Sequence, residues 1–145
     1  MNTTPTPYFQ KLTQTKSPRQ IAFIFLDHLK KNYPIPEDIK VSVKFTSKTR
    51  NHGATKGYIV MDRAVRTAII TIYEVKTTET PALLSTLAHE YKHILQSFVE
   101  SPEEWKGGKV FDLKREVDAG VFGQFKSRAF CYGGLYVLKT SVSKL

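Results

Sequence analysis

The segment from Pro81 to about Val99 constrains the fold most, because its apolar residues recur with the period of an α-helix. At about 100° per residue, they fall on one contiguous stripe about 120° wide. These residues are Leu84, Leu87, Ala88, Tyr91, Ile94, Leu95 and Phe98. The opposite side carries His89 and His93 among small and polar residues, namely Ala82, Ser85, Thr86, Gln96 and Ser97. We therefore expect a helix, with Thr80 as its N-cap, that packs one face on the core and lines a cleft with the other.

His89, Glu90 and His93 form the motif HExxH within this helix. Residues four apart lie about 40° apart around a helix and one turn further along it, so both imidazoles can reach one metal ion. Zinc lowers the pKa of a bound water to about 7, and Glu90 is placed to accept the proton during attack on a carbonyl. The motif thus predicts a zinc site with Glu90 as general base. The plain alternative is a pair of solvent-exposed histidines on the polar face of the helix.

A zinc site needs a third protein ligand, and the histidine count excludes another imidazole after the motif. The chain has four histidines, and the other two, His28 and His52, both precede the motif. The acidic residues that follow it are Glu100, Glu103, Glu104, Asp112, Glu116 and Asp118. Glu100 lies about two turns beyond His93 on the same helix, too far along the axis to share a metal with it. The next two glutamates fall in a segment with the composition of an exposed turn.

Glu116 lies on a second predicted helix, about Phe111 to Arg128, and shares one side of it with Gly120 and Gly123. Glycine costs about 1 kcal/mol relative to alanine inside a helix, so two on one side indicate the close approach of another helix. That approach would bring Glu116 to the two histidines. Asp118 is the alternative ligand, and an exposed, ion-paired Glu116 is the alternative without a metal. The predicted core edge of this helix consists of Leu113, Val117, Val121 and Phe125.

The residues before the motif predict one helix and three strands. Ser17 and Pro18 are typical of a helix N-terminus, and the helix they open extends to about Asn32. The predicted strands are about Ile39 to Phe45, Tyr58 to Met61 and Ala68 to Val75. The last of these is almost continuously apolar, so we expect it to be buried on both faces. The order predicts an α+β domain with a small, mainly antiparallel sheet of about three strands.

Length and composition bear on the organisation of the chain. Its 145 residues, 41% of them hydrophobic, suffice for one domain with one core. Residues 1–16 are rich in threonine and are predicted to be a flexible leader, with a single domain over residues 17–145. No apolar run approaches the roughly 18 residues of a membrane span. The one cysteine, Cys131, excludes an internal disulfide, so we expect a cytoplasmic protein without a membrane segment.

The net charge of +9 is concentrated near the start of the chain. The first 50 residues carry 9 basic and 3 acidic side chains. Such a surplus permits non-specific association with nucleic acid. The alternative is a solvated, lysine-rich surface that maintains solubility.

Two motifs resemble those of the gluzincin group of small zinc metallopeptidases, and most of all those of the ImmA/IrrE-type domains. They are Ser85-Thr86-Leu87-Ala88-His89-Glu90-x-x-His93 and Glu116-x-x-Ala119-x-x-Phe122. The resemblance covers about residues 58–125. It implies a zincin-like fold in which zinc is held by His89, His93 and Glu116, with Glu90 as the base. Family members often act on repressors or on proteins of mobile elements, so the implied substrate is a protein or peptide. Gly120 stands where the family has Asn or Asp.

Hydrolysis of a peptide also needs a donor for the oxyanion. The sequence leaves several candidates open, namely Tyr73, Tyr132, Arg63, Arg66 and His52. By analogy with the family, the strand from Ala68 to Val75 is the sheet edge along which a substrate would lie. The leading hypothesis is a zinc metallopeptidase. The alternatives are a catalytically silent zincin-fold module for regulation or binding, and nucleic-acid association through the basic N-terminal third.

Overall fold

The computed structural model describes residues 4–47, 56–100 and 109–133, and it shows an α+β fold. Its helices are α1 (Pro7–Thr15), α2 (Pro18–Asn32), α3 (Thr80–Leu95) and α4 (Lys109–Tyr132). Its strands are β1 (Lys40–Thr46), β2 (Gly57–Asp62) and β3 (Thr67–Tyr73). A short 3₁₀ turn, Glu74–Lys76, precedes α3, and a π-helical turn, Gln96–Glu100, follows it. The helix predicted to extend to Val99 is therefore α-helical only to Leu95, four residues short, and continues as the π-helical turn.

The sheet has the order β1-β3-β2, with β3 in the centre. β2 pairs antiparallel with β3, opposing Ile59 to Ile70, whereas β1 pairs parallel with it, opposing Val43 to Ile70. The sheet is therefore mixed, and the prediction of a mainly antiparallel sheet is wrong. Apolar periodicity identifies strands but not the direction in which each one pairs with its neighbour, which depends on contacts between segments distant in the chain. The third strand is largely buried on both faces from Ala68 to Tyr73, with Ile69 half-buried. It ends two residues before the predicted end, and Val75 is exposed in the turn that follows.

Helix α1 replaces much of the flexible leader that was predicted for residues 1–16. The Thr6 side chain caps the helix by accepting from the Phe9 N–H, and the Thr6 N–H donates to the Cys131 carbonyl at 2.9 Å. Phe9 and Leu12 are buried in the common core. Two apolar anchors in nine residues give too weak a periodicity to predict, but the end of α4 provides the surface that holds them.

The core lies between the sheet and the helices α2 and α3. Its fully buried side chains include Phe25 and Leu29 from α2, Ile70 and Ile72 from β3, and Leu84, Leu87, Tyr91 and Ile94 from α3. The predicted apolar stripe of the motif helix is thus confirmed, with Phe98 half-buried against the same core. Gln96 and Ser97, which were expected on the polar face, are buried. They are buried because α4 covers this end of α3.

The face that α4 turns to the rest of the protein differs from the predicted one. Leu113 and Val117 are 65% and 56% exposed. The buried positions recur instead every four residues and are small or polar, namely Arg115, Ala119, Gly123, Ser127 and Cys131. Small side chains allow α4 to approach α3 closely, so its contact face is not its most apolar face. Across the described residues, none of the helices combines the length and apolar character needed to cross a membrane.

The buried thiol of Cys131 provides a test of this packing. Burial raises the pKa of Cys131 to about 12, so thiolate is scarce at pH 8. We expect a thiol reagent such as DTNB to label the native protein at least ~100-fold more slowly than the urea-unfolded chain. Absorbance of the released thiolate would measure both rates. Equal rates would show that the contact between the end of α4 and the core is not maintained.

Candidate metal centre

One carboxylate of α4 faces both histidines of α3. The Nε2 atom of His89 lies 3.0 Å from Oε2 of Glu116, and the Nε2 atom of His93 lies 2.9 Å from Oε1. The two imidazole rings are 5.1 Å apart between centroids. The predicted approach of Glu116 to the histidines is therefore present in the structure. Their role as metal ligands stays a prediction.

Gly123 allows this convergence. A Cβ added at Gly123 would lie 2.6 Å from the Ser85 carbonyl oxygen and 3.1 Å from the His89 backbone nitrogen. The backbones of α3 and α4 are therefore in direct contact, about two turns beyond Glu116. At Gly120 the approach is looser, since an added Cβ would find its nearest neighbour, Nδ1 of His89, at 4.0 Å.

Gln96 connects His93 to the backbone of α4. Its Nε2 donates to the Arg115 carbonyl at 3.0 Å, and its Oε1 lies 2.9 Å from Nδ1 of His93. A carbonyl can only accept, so the amide group of Gln96 must present its oxygen to His93, and Nδ1 must carry the hydrogen. In the neutral ring, Nε2 then faces the Glu116 carboxylate with a lone pair. Two acceptors 2.9 Å apart require a proton or a cation between them.

The donor set fits zinc. Two imidazole nitrogens and one carboxylate are ligands of catalytic zinc sites, with bonds of about 2.0–2.2 Å. Tetrahedral ligand atoms at those distances are about 3.3 Å apart, so the observed separations of 2.9 and 3.0 Å need to open only slightly. Burial lowers the pKa of His89, although the Glu116 charge opposes this, and so favours the neutral ring that ligates a metal.

Glu90 lies beside this centre and is 5% exposed. One ligand atom each from His89, Glu90 and His93 lie within 4.8 Å of one another. Burial, followed by the charge of Glu116, raises the pKa of Glu90 to about 7. Among the described residues, no group hydrogen-bonds to its buried Oε2 atom. Leaving a buried acceptor unsatisfied costs about 1–3 kcal/mol, so stability alone does not explain a glutamate here.

A cleft of about 630 Å³ opens over these residues. Helix α3 lines it with Ser85, Thr86, His89 and Glu90, and α4 lines it from Glu116 to Phe125. Lys56 and Gly57, at the start of β2, form the remaining rim. The predicted polar face of α3 therefore borders the cleft as far as His89, whereas His93 does not line it.

Several predicted site residues are not brought to this cleft. Asp118 is exposed and lies about 200° around α4 from Glu116, so it does not share the centre. Tyr132 is 16 residues beyond Glu116, about 24 Å along the helix. Tyr73 is buried at the end of β3, with its ring 5.8 Å from that of Tyr58. None of the three is among the described residues that line the cleft.

The remaining candidates for the oxyanion donor are not found at the cleft either. The Arg66 guanidinium pairs with Asp38 at 2.6 Å and lies over the ring of Phe98, and neither Arg66 nor Arg63 lines the described cleft. His52 lies outside the described residues. The cleft instead offers Lys56, which sequence reasoning missed because an exposed lysine before a strand carries no distinguishing pattern. Gln96 was also missed, although its position three residues after His93 puts it on the same side of the helix.

Comparisons of the chain with protein-family models, with curated proteins and with solved structures find no match. The resemblance to the gluzincin group therefore remains a prediction that rests on the two motifs.

The two glycines of α4 provide a matched test of the helix contact. We expect Gly123→Ala to lower the free energy of unfolding by about 1–3 kcal/mol, because its Cβ would clash with backbone. Gly120→Ala has room and should stabilise the protein by up to about 1 kcal/mol through helix propensity. Urea unfolding of the metal-free variants measures both changes. Two effects of the same sign would contradict the close approach at Gly123.

Proposed function

We propose that this protein is a zinc metallopeptidase with a zincin-like fold. In this proposal His89, His93 and Glu116 hold the zinc ion, and Glu90 is the general base. The observation that carries the proposal is the position of one carboxylate, whose two oxygens face the Nε2 atoms of both motif histidines at 3.0 and 2.9 Å. Three potential ligands from two separate helices thus lie together, and two of them, His89 and Glu116, line the cleft.

Zinc, when bound, supplies a Lewis acid that activates water and polarises the carbonyl of a peptide bond. The protein residues supply the proton transfers and the positioning. Glu90 lines the cleft one residue after His89, and its unpartnered Oε2 can accept a proton from water and pass it to the departing amine. The buried position of this carboxylate keeps competing solvent away from the transfer.

The cleft suits an extended polypeptide. Its rim at Lys56 and Gly57 is the start of β2, which is an edge strand of the described sheet. The sequence placed the substrate along residues 68–75, but β3 is the central strand and has no open edge. The outer edge of β2 therefore takes that role in our proposal, and a protein or peptide segment pairs with it.

The alternative of a catalytically silent zinc module makes a different use of the same ligands. It leaves Glu90 without a purpose, because a metal site built for stability needs no buried carboxylate with an unpaired oxygen. That oxygen is the observation that favours catalysis.

The substitution Glu90→Gln separates the two functions. We expect this variant to retain about one zinc ion per chain and to lose hydrolysis by at least ~100-fold, because an amide cannot accept the proton. Elemental analysis and cleavage of a fluorogenic peptide library measure the two properties. Glu79→Gln is the matched control, since Glu79 is exposed at the start of the same helix. Wild-type rates in Glu90→Gln would remove the proposed mechanism, and zinc binding without cleavage by the wild type would support the silent module.

The substitution Glu116→Gln tests the third ligand. We expect the zinc affinity to fall more than ~100-fold, because the site loses its only charged ligand. Asp118→Asn, two residues further on α4, is the matched control and should bind zinc as the wild type does. Competition with a chromophoric chelator measures both affinities. Loss of affinity in the Asp118 variant alone would exchange the roles of the two carboxylates.

A further inference from the structure

We propose that Gln96 is a positioning residue for the second histidine of the centre. It holds the His93 ring with hydrogen on Nδ1, so that Nε2 presents its lone pair toward Glu116, and it ties that ring to the backbone of α4. This inference rests on the proposed zinc site for its functional meaning. The hydrogen-bond arrangement itself does not depend on zinc.

The direction of each hydrogen bond follows from one backbone group. The Arg115 carbonyl accepts from Nε2 of Gln96 at 3.0 Å, which turns Oε1 of Gln96 toward His93. Oε1 accepts in turn from Nδ1 of His93 at 2.9 Å. Because Arg115 immediately precedes Glu116, the same stretch of α4 sets both the ring orientation of His93 and the position of the opposing carboxylate.

The local backbone places Gln96 for this task. Gln96 follows the last residue of α3 and begins the π-helical turn that runs to Glu100. Its side chain lies three residues after His93, on the same side of the helix, and is 4% exposed. π-helical turns within helices often occur at functional sites. Here the turn brings Gln96 under the cover of α4.

Ser97 is a natural comparison for Gln96. It is equally buried, and its hydroxyl accepts from Nη2 of Arg115 at 3.0 Å. Gln96 and Ser97 therefore both connect α3 to Arg115 of α4 through buried hydrogen bonds. In the described contacts, however, only the Gln96 bond continues to a histidine of the centre. Variants of Gln96 and Ser97 can therefore be compared to distinguish a purely structural link between the helices from the positioning of a histidine.

The first histidine is held differently. Its Nε2 lies 3.0 Å from Glu116, and a Cβ added at Gly120 would lie 4.0 Å from its Nδ1, where glycine has no side chain to offer a hydrogen bond. Partners of a ligating imidazole typically contribute 10–100-fold in metal affinity, by fixing its tautomer and raising its basicity. We therefore expect the contribution at His93 to come from Gln96.

The test uses three variants of the full chain and their zinc affinities, measured by chelator competition. Gln96→Met keeps the volume but removes the acceptor, so the affinity should fall about 10–100-fold. Gln96→Glu still accepts from Nδ1 and, with a proton on its second oxygen, donates to the Arg115 carbonyl, so its affinity should stay within about threefold of the wild type. Ser97→Ala should lower the melting temperature while leaving the affinity within about threefold.

A second readout needs no metal. Long-range proton–nitrogen NMR of the metal-free protein at pH 8 reports which nitrogen of His93 carries the hydrogen. We expect Nδ1 to carry a hydrogen in the wild type and in Gln96→Glu, with a proton shared between Nε2 and Glu116 where the cation is absent. In Gln96→Met we expect a mixture with the form that carries hydrogen on Nε2 alone. If Gln96→Met does not fold, the wild-type spectrum and the zinc affinity of Gln96→Glu still test whether Gln96 positions His93.

The outcomes of these two measurements distinguish the two proposals. A wild type in which His93 carries hydrogen on Nε2 alone would overturn the role of Gln96 whatever its zinc affinity. Equal zinc affinity in Gln96→Met, or equal losses in Gln96→Glu and Gln96→Met, would also overturn it while leaving the zinc site intact. A wild type that binds no zinc but shows the Nδ1–H form would overturn the proposed function and retain the hydrogen-bond arrangement.

Discussion

The contact between the backbones of α3 and α4 at Gly123 is the constraint on which the candidate centre depends. No side chain fits there, since an added Cβ would lie 2.6 Å from the Ser85 carbonyl oxygen. A larger separation would withdraw Glu116 from both histidines, because the short side chain of glutamate cannot compensate for it. The stripe of small and polar residues along α4 has the same cause. Close packing of the two helices is therefore both a stabilising contact and the condition for the convergence of Glu116 with the two histidines.

Buried polar groups at this helix interface form a connected series rather than isolated pairs. The Arg115 carbonyl orients Gln96, Gln96 orients His93, and His93 faces Glu116, the residue that follows Arg115. Such a network stabilises one arrangement when each member is satisfied. Among the described residues, no group hydrogen-bonds to the buried Oε2 atom of Glu90, which lies beside this series.

Much of the site could be predicted, but less of the surrounding fold. The apolar stripe of α3 and the two glycines of α4 are strong local signals, and together they predicted where Glu116 would lie. The helix α1 was missed because Phe9 and Leu12 are too few to form a pattern. The predicted core edge of α4 was wrong because Leu113 and Val117 are apolar but exposed, while the buried positions are small or polar.

The sequence alone determined the spacing of His89, Glu90 and His93 on one helix face, since helical periodicity is a local property of the chain. It also excluded histidine as a third ligand after the motif, because both other histidines precede it. Only the tertiary structure decided which carboxylate meets the histidines, which strand is left as an edge, and which side chain orients His93. Those outcomes depend on helix separation and strand direction, which arise from contacts between residues distant in the chain and leave no periodic trace in it.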